Sequence, residues 1–129
     1  MSKTLLIIDD SKSILSVISY IFSSKYTVVK KVNGVEALDW LQEGNMPSII
    51  VSDLDMPEMD GFTLLKHLKS SAAFEDIPLV ILSNTDSSTE KVRCLRLGAD
   101  DYVVKPFNPE ELDARVENLV RKAERYSKV

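Results

Sequence analysis

Cysteine, histidine, tryptophan and long apolar runs are all scarce in this chain, and each shortage excludes something. A single cysteine, Cys94, has no partner for an internal disulfide, which fits a reducing compartment. The only histidine, His67, has no second ligand at metal-binding spacing and reads as a surface or boundary residue. Trp40 reads as packing. No stretch approaches the ~20 apolar residues of a membrane span, and the run Leu5 to Ile8 is too short for a secretory leader. The expected location is the cytoplasm, with no membrane contact. Basic residues do not dominate either. Sixteen Lys and Arg against twenty Asp and Glu give a net charge of −4, which argues against a nucleic-acid grip. Internal repeats, low-complexity segments and domain linkers are likewise missing. What remains is 129 residues of ordinary composition, enough for one domain with one sizeable core.

The apolar residues fall into short runs that alternate with helical periodicity. Leu5-Leu6-Ile7-Ile8 is continuous rather than alternating, as expected of a strand covered on both faces. Ser11 and Ser13 are helix-cap candidates. Ile14, Val17, Ile18, Ile21 and Phe22 follow at helical spacing. Tyr26 to Val29 predicts a second strand. Asn33 then caps a helix through Ala37, Leu38 and Leu41, which Gly44 stops. Ser48 to Ser52 is a third strand leading into Asp53. After Pro57 and Gly61, the face Phe62, Leu65 and Leu68 marks a short helix. Leu79 to Leu82 is a fourth strand ending at Ser83. Asp86 to Leu97 is a helix with a thin stripe of Val92 and Leu95, stopped by Gly98. Tyr102 to Val104 is a fifth strand ending at Lys105-Pro106. Asn108 caps the last helix, with Pro109 in its first position and Glu111 placed for a capping box. This order predicts an α/β fold, a parallel sheet with helices on both faces. The polar stretch from Arg121 onward reads as a frayed end or the start of a linker.

Reactive residues stand at the strand ends: Asp9 and Asp10 after the first, Asp53 after the third, Ser83 after the fourth, Lys105 after the fifth. In a parallel sheet these ends share one edge, the edge where such sheets bind ligands. Three carboxylates crowded there repel unless a cation intervenes. All-oxygen ligands favour a hard ion, and a partly hydrated Mg2+ needs only one or two carboxylates. A nucleophilic carboxylate, a metal, a lysine and a hydroxyl together suit a phosphoryl group. Taken singly, each residue has a plainer reading: Asp9-Asp10 as a turn and cap, Asp53 as a turn residue, Lys105 as a loop lysine, Ser83 as a cap. Their joint placement at strand ends is what the plain readings leave unexplained.

From Leu5 to about Lys122 the chain resembles the receiver domains of two-component response regulators. The resemblance rests on Asp9-Asp10, on Asp53 followed by Met56-Pro57-Glu58-Met59-Asp60-Gly61, on Ser83, and on Gly98-Ala99-Asp100-Asp101-Tyr102 followed by Lys105-Pro106-Phe107. It implies a flavodoxin-like five-stranded sheet in order 2-1-3-4-5 with five helices on two faces. The receiver domain would span residues 1–125, with 126–129 a tail or the start of a linker. It implies that Asp53 accepts a phosphoryl group from a phosphohistidine of a sensor histidine kinase or histidine phosphotransfer protein. Asp10 and Asp53 would bind Mg2+ directly, the backbone carbonyl of Asp55 would add a third ligand, and Asp9 would act mainly through metal-bound water. Lys105 would pair first with Asp53 and then with the phosphoryl group. Ser83 and Tyr102 would form a switch pair, hydroxyl moving toward the phosphate and ring turning inward. The Lys105-Pro106 bond is expected to be cis. Such a protein catalyses only its own phosphoryl transfer and hydrolysis, and its readout surface is expected near the fourth helix, fifth strand and fifth helix.

Three positions depart from the commonest receiver pattern. Ser83 stands for the frequent threonine, Asn84 for a small residue, and Asp55 adds an acid beside the site. On the later helices, Lys91, Asp100, Asp101, Glu111, Arg115 and Lys122 resemble the dimer face of winged-helix regulators. There Lys91 would meet Glu111 of a second chain, Asp101 would meet Arg115, and Asp100 would meet Lys122; without the resemblance they read as a solvated mixed-charge face. Two rival functions stand beside the switch. Asp53-Leu54-Asp55 matches the paired acids of haloacid-dehalogenase phosphatases, although Asp9-Asp10 precede it where that family places its acid pair later. The other rival is a pseudo-receiver, a binding module that is never phosphorylated.

Overall fold

The computed structural model describes residues 3–127. Along them run β1 (Lys3–Ile8), α1 (Lys12–Phe22), β2 (Tyr26–Lys31), α2 (Gly34–Gln42), β3 (Ile49–Asp53), α3 (Gly61–Lys69), β4 (Leu79–Ser83), α4 (Ser88–Arg96), β5 (Asp101–Val104) and α5 (Pro109–Ser127). The strands form one parallel sheet in the order β2-β1-β3-β4-β5, as the resemblance implied. β3 and β4 are buried at every position, whereas the edge strand β5 mixes buried and half-buried residues and the edge strand β2 has exposed ones as well. That gradient explains the unbroken apolar spelling of the interior strands, since both their faces are covered.

Alternate side chains of each strand serve opposite faces. Leu6, Ile8, Ile50 and Ile81 pack with α2, α3 and α4 through Leu38, Leu41, Leu64, Leu65, Leu68 and Cys94. Leu5, Ile7, Val51, Val80 and Leu82 pack with α1 and α5 through Leu15, Ile18, Phe22, Leu112, Val116 and Val120. Each fully buried Leu or Ile contributes about 1.5–3 kcal/mol relative to exposure. These two layers fix the sheet, and the sheet fixes where its strand ends point.

Local chemistry sets the helix starts. Ser11, Asn33, Asp60 and Ser87 each accept a hydrogen bond from the backbone N–H three residues on. Asn108 Oδ1 accepts from the N–H groups of Glu110 and Glu111. The capping box expected of Glu111 does not close, because its carboxylate accepts from Arg115 at 3.1 Å. Gly44 and Gly98 stop α2 and α4 with φ of 102° and 112°, a conformation L side chains rarely adopt.

Several boundaries and faces differ from the sequence reading. β2 continues to Lys31, held by pairing with β1 rather than by its own composition. α4 starts at Ser88 with Ser87 as cap, so Asp86 lies outside it. Its expected apolar stripe faces outward: Val92 and Leu95 are each 43% exposed, and Cys94 is the buried residue. On α3, Leu64 joins Leu65 and Leu68 in the core while Phe62 is only partly buried. The polar stretch after Arg121, read as a frayed end or the start of a linker, is helical as far as Ser127. Residues 128–129 lie outside the described residues.

Candidate functional site

Register brings the strand ends together. Ile8 pairs with Ser52, Asp53 with Leu82, and Ser83 with Val104. Asp9, Asp53, Ser83 and Lys105 therefore emerge along one edge of the sheet. Two backbone bonds extend the ladder there: Asp9 N–H donates to Lys31 O at 3.1 Å, and Lys105 N–H donates to Ser83 O at 2.7 Å. The peptide bond between Lys105 and Pro106 is cis, as expected.

Lys105 Nζ donates to Asp9 Oδ2 at 3.1 Å and to Asp53 Oδ1 at 3.0 Å. The three side chains are 12%, 1% and 5% exposed in that order, so the ion pairs are largely shielded from water. Asp9 Oδ1 accepts from Ser11 N–H at 2.9 Å. Asp10 is exposed, yet one carboxylate oxygen from each of Asp9, Asp10 and Asp53 lies within 4.8 Å of the others. The set is three carboxylates against one lysine, a net deficit of positive charge. It offers only oxygen donors. Both features fit a hard divalent cation. Asp55 is exposed and its carboxylate is not in this group.

Charge and burial set the proton affinities. Burial pushes the Asp53 carboxyl above the usual carboxylate range, and the negative charge of Asp9 adds to this. The Lys105 hydrogen bond opposes without reversing the shift. Burial alone would lower the Lys105 ammonium, but its bonds and charge attraction to Asp53 and Asp9 outweigh that and hold it above an ordinary lysine. Burial raises the Cys94 thiol to about 11, so it is inert near neutrality.

The loop after β3 is anchored by Gly61, whose N–H donates to Leu54 O at 2.8 Å. A Cβ at Gly61 would sit 2.7 Å from both Asp53 O and Leu54 Cα. Those are backbone atoms of the site itself and cannot move without shifting Asp53. Within the loop, Glu58 has φ of 67° and Met59 N–H donates to Pro57 O at 2.8 Å, a tight turn rarely adopted by a non-glycine residue. Gly61→Ala is expected to destabilise the protein by about 1–3 kcal/mol through overpacking, read as a lower urea midpoint. An unchanged midpoint would refute that account.

On the other side, Ser83 is fully buried, and its Oγ accepts from Thr85 N–H at 3.1 Å. Tyr102 is 5% exposed, and its hydroxyl donates to Thr85 O at 2.8 Å. The ring is thus already inward. Burial raises the Tyr102 phenol above its ordinary value. Asn84, between Ser83 and Thr85, is exposed.

The residues expected to face a second chain are mostly engaged within this one. Arg115 donates to Asp101 at 2.9 and 3.2 Å and to Glu111 at 3.1 Å. Asp100 Oδ2 accepts from Leu79 N–H at 2.8 Å and from Lys69 Nζ at 3.3 Å. Lys122 lines a cavity with Asp100 and Tyr126, and Lys91 is exposed on α4. Sequence reasoning overlooked Thr85 and Lys69. Thr85 had a signal, a hydroxyl two residues before the cap Ser87 in a turn-prone stretch. Lys69 had none, because its partners, the carbonyls of Glu75 and Ile77 and the Asp100 carboxylate, are brought together only by the fold.

Comparison with known proteins agrees with this geometry. The family model for the response regulator receiver domain matches residues 5–117. The chain is 38% identical over 125 residues to the alkaline phosphatase synthesis transcriptional regulatory protein PhoP of Bacillus subtilis, covering 96% of this chain and 51% of that protein. It is 39% identical over 118 residues to the two-component response regulator ORR3 of rice, covering 91% of this chain and 90% of that one. Thus it spans about half the length of the Bacillus relative and most of the rice one. Among solved structures it superposes on the receiver domain of the Francisella response regulator 1452 with a TM-score of 0.85 and 36% identity, covering 94% and 98% of the two chains.

Proposed function

Because the chain belongs to the response regulator receiver family, and so is a two-component signalling switch, we propose that Asp53 is its phosphoacceptor. The phosphodonor is a phosphohistidine of a sensor histidine kinase or a histidine phosphotransfer protein. The observation that carries this reading is the shielded bridge from Lys105 to Asp53 and Asp9, with Asp10 completing the acidic group.

Lys105 holds Asp53 Oδ1, which orients the carboxylate and leaves Oδ2 for another partner. Asp53 attacks phosphorus, an O–P bond forms, and the bond from phosphorus to the histidine nitrogen breaks. Lys105, already charged and tied down by Asp9, then pairs with the phosphoryl oxygens without having to reorganise. Asp10 and Asp53 would hold Mg2+ directly, with the Asp55 carbonyl as a third ligand and Asp9 acting through water. The ion supplies charge neutralisation for the entering phosphoryl oxygens. The Ser83 hydroxyl bonds one of those oxygens, and Tyr102 keeps the space behind it filled. A homodimer through α4, β5 and α5 would exchange the Arg115 bonds to Asp101 and Glu111 for equivalent ones across the interface. Such rim pairs set register more than affinity. The phosphatase reading has no comparable support, since the family match covers nearly the whole chain.

Metal removal tests the proposal. With acetyl phosphate and Mg2+, intact-mass measurement is expected to show one added phosphoryl group, localised to the peptide carrying Asp53. Excess EDTA is expected to abolish the addition. A wild-type protein that stays unmodified in Mg2+, or is modified equally in EDTA, would overturn it.

A further inference from the structure

Charges on the side of the sheet covered by α2, α3 and α4 are sorted by sign. Glu36, Asp39 and Glu43 form one exposed stripe along α2 and its C-cap, which carry no basic residue. Their spacing of three and four residues makes them neighbours that repel. Among the described residues none of the three has a cation partner, and Glu36 accepts only from Val32 N–H at 3.5 Å. On the same layer, Lys66 of α3 and Arg93 and Arg96 of α4 are exposed. They too have no carboxylate partner among the described residues, and α3 contains no acid. The two sets stay apart because α2 covers β1 and β2, α4 covers β5, and α3 lies between.

Apolar groups accompany the charges. Val35 is exposed beside the acidic stripe. Val92 is exposed in a shallow depression of about 570 Å3 that it lines with Thr89, Arg93, Arg96 and Leu97. The three helices leave the same edge of the sheet and run the same way. A Cβ at Gly34 would lie 3.0 Å from Met59 Sδ, and Arg93 lies 3.8 Å over the Phe62 ring. Met59 and Phe62 flank the start of α3, so Glu36 and Arg93 stand at about the same height. At the far end a Cβ at Gly98 would lie 2.9 Å from Lys69 Cγ, so α4 stays beside α3 along its length.

We propose that this face binds a second copy of the chain about a two-fold axis running along α3. Rotation about that axis keeps height and exchanges the two edges, so α2 of each copy comes onto α4 of the other. Arg93 and Arg96 then stand level with Glu36 and Asp39 of the second copy, and Lys66 with its Asp39 and Glu43. Val35 enters the depression at Val92. An isologous interface makes every such pair twice, so a face that is frustrated in one chain is complementary between two. Asp53 and Lys105 lie at the strand ends, outside this face, and both copies stay open to a phosphodonor. The face shares only α4 with the dimer through α4, β5 and α5, and uses the flank of that helix turned toward α3.

Sedimentation velocity of the whole chain tests this. At about 0.1 M ionic strength the Debye length is about 10 Å, so the net charge of −4 on each body is largely screened while side chains in contact are not. Exposed pairs make a weak interface, and the wild type is expected to be dimeric at about 100 µM protein. Its Kd is expected to rise about tenfold at about 1 M salt, where the Debye length is about 3 Å. Lys66→Glu with Arg96→Glu makes both stripes predominantly acidic, and Asp39→Lys with Glu43→Lys makes both predominantly basic. Each double variant alone is expected to be monomeric. Mixed in equal amounts they are expected to form a heterodimer, because each stripe then faces its opposite.

A wild type that stays monomeric overturns the proposal, and the two stripes would then serve some other occupant. So does a dimer indifferent to salt, or a mixture of folded double variants that remains monomeric. A dimer that survives both charge reversals but is lost in Arg115→Ala belongs to α4, β5 and α5 and equally defeats it. Circular dichroism checks the fold of each variant. Should a double variant not fold, Arg96→Glu and Asp39→Lys, single changes at exposed positions, carry the same comparison with smaller shifts.

Discussion

Asparagine in place of Asp53 is expected to abolish phosphoryl addition and, in Mg2+-free buffer near neutrality, to leave the protein more stable than the wild type. The first effect follows because an amide is nearly the same shape but has no anionic oxygen with which to attack phosphorus. The second follows from the electrostatics of the empty cluster. Burial and the charge of Asp9 raise the folded-state pKa of Asp53 above its ordinary 3.8. Between 3.8 and that raised value the folded state binds more protons at this site than the unfolded state. Stability therefore falls as pH rises through the window, and the penalty is fully present above it. The amide does not titrate, still accepts from Lys105, and leaves that lysine with Asp9. Urea unfolding of both proteins across acidic to neutral pH measures the difference. The wild type is expected to lose stability relative to Asp53→Asn as pH rises from about 4. Parallel pH curves would refute the electrostatic argument, and persistent phosphorylation of the variant would refute the assignment of Asp53.

Much of this arrangement is legible in the sequence because strand ends are easy to locate when strands are unbroken apolar runs. Leu5 to Ile8, Ile49 to Val51 and Leu79 to Leu82 each lie at the buried centre of the sheet. The acids and hydroxyl that follow them, and the lysine that follows β5, are forced onto one edge by parallel pairing alone. Strand order came from the resemblance, because alternation of elements does not by itself choose among parallel topologies. The acidic group that could hold a cation likewise followed from residue types, and the geometry adds that Asp9 is sealed against Lys105 while Asp10 faces solvent.

The misreadings share a cause: local pattern gives periodicity but not which neighbour is available. Val92 and Leu95 have helical spacing and apolar character, yet α4 turns Cys94 inward instead. The same limit leaves the dimer face open: Asp101, Glu111 and Arg115 carry complementary charges whether they pair within a chain or across two, and in the single chain they pair within, as Asp100 does with Lys69, which sits thirty-one residues earlier. Thr85 escaped notice because only one of its three bonds uses its side chain; the N–H and carbonyl that hold Ser83 and Tyr102 belong to the backbone and leave no mark in the spelling.

Lys105→Met should act in three directions at once, which distinguishes it from a merely destabilising change. Methionine keeps most of the aliphatic stem but removes the ammonium that serves two buried carboxylates. Breaking a buried pair by deleting one partner costs about 3–5 kcal/mol; with Asp53 able to take up a proton, about 3 kcal/mol is expected in EDTA at neutral pH. Mg2+ affinity should move the opposite way. A positive charge bonded to the same carboxylates that would hold the ion opposes it, and its removal is expected to tighten binding about tenfold, a modest share of the Coulomb term at intermediate dielectric. Mg2+ should then recover more stability in the variant than in the wild type. Phosphoryl transfer should nevertheless slow by about 10²-fold or more, because the donor preset for the phosphoryl oxygens is gone. Urea unfolding with and without Mg2+, calorimetric titration and acetyl phosphate kinetics read the three effects separately. Weaker Mg2+ binding in the variant would mean that Lys105 helps to assemble the acidic cluster rather than competing with the metal for it. In that case the charge balance drawn from these distances would be wrong, even if transfer were lost.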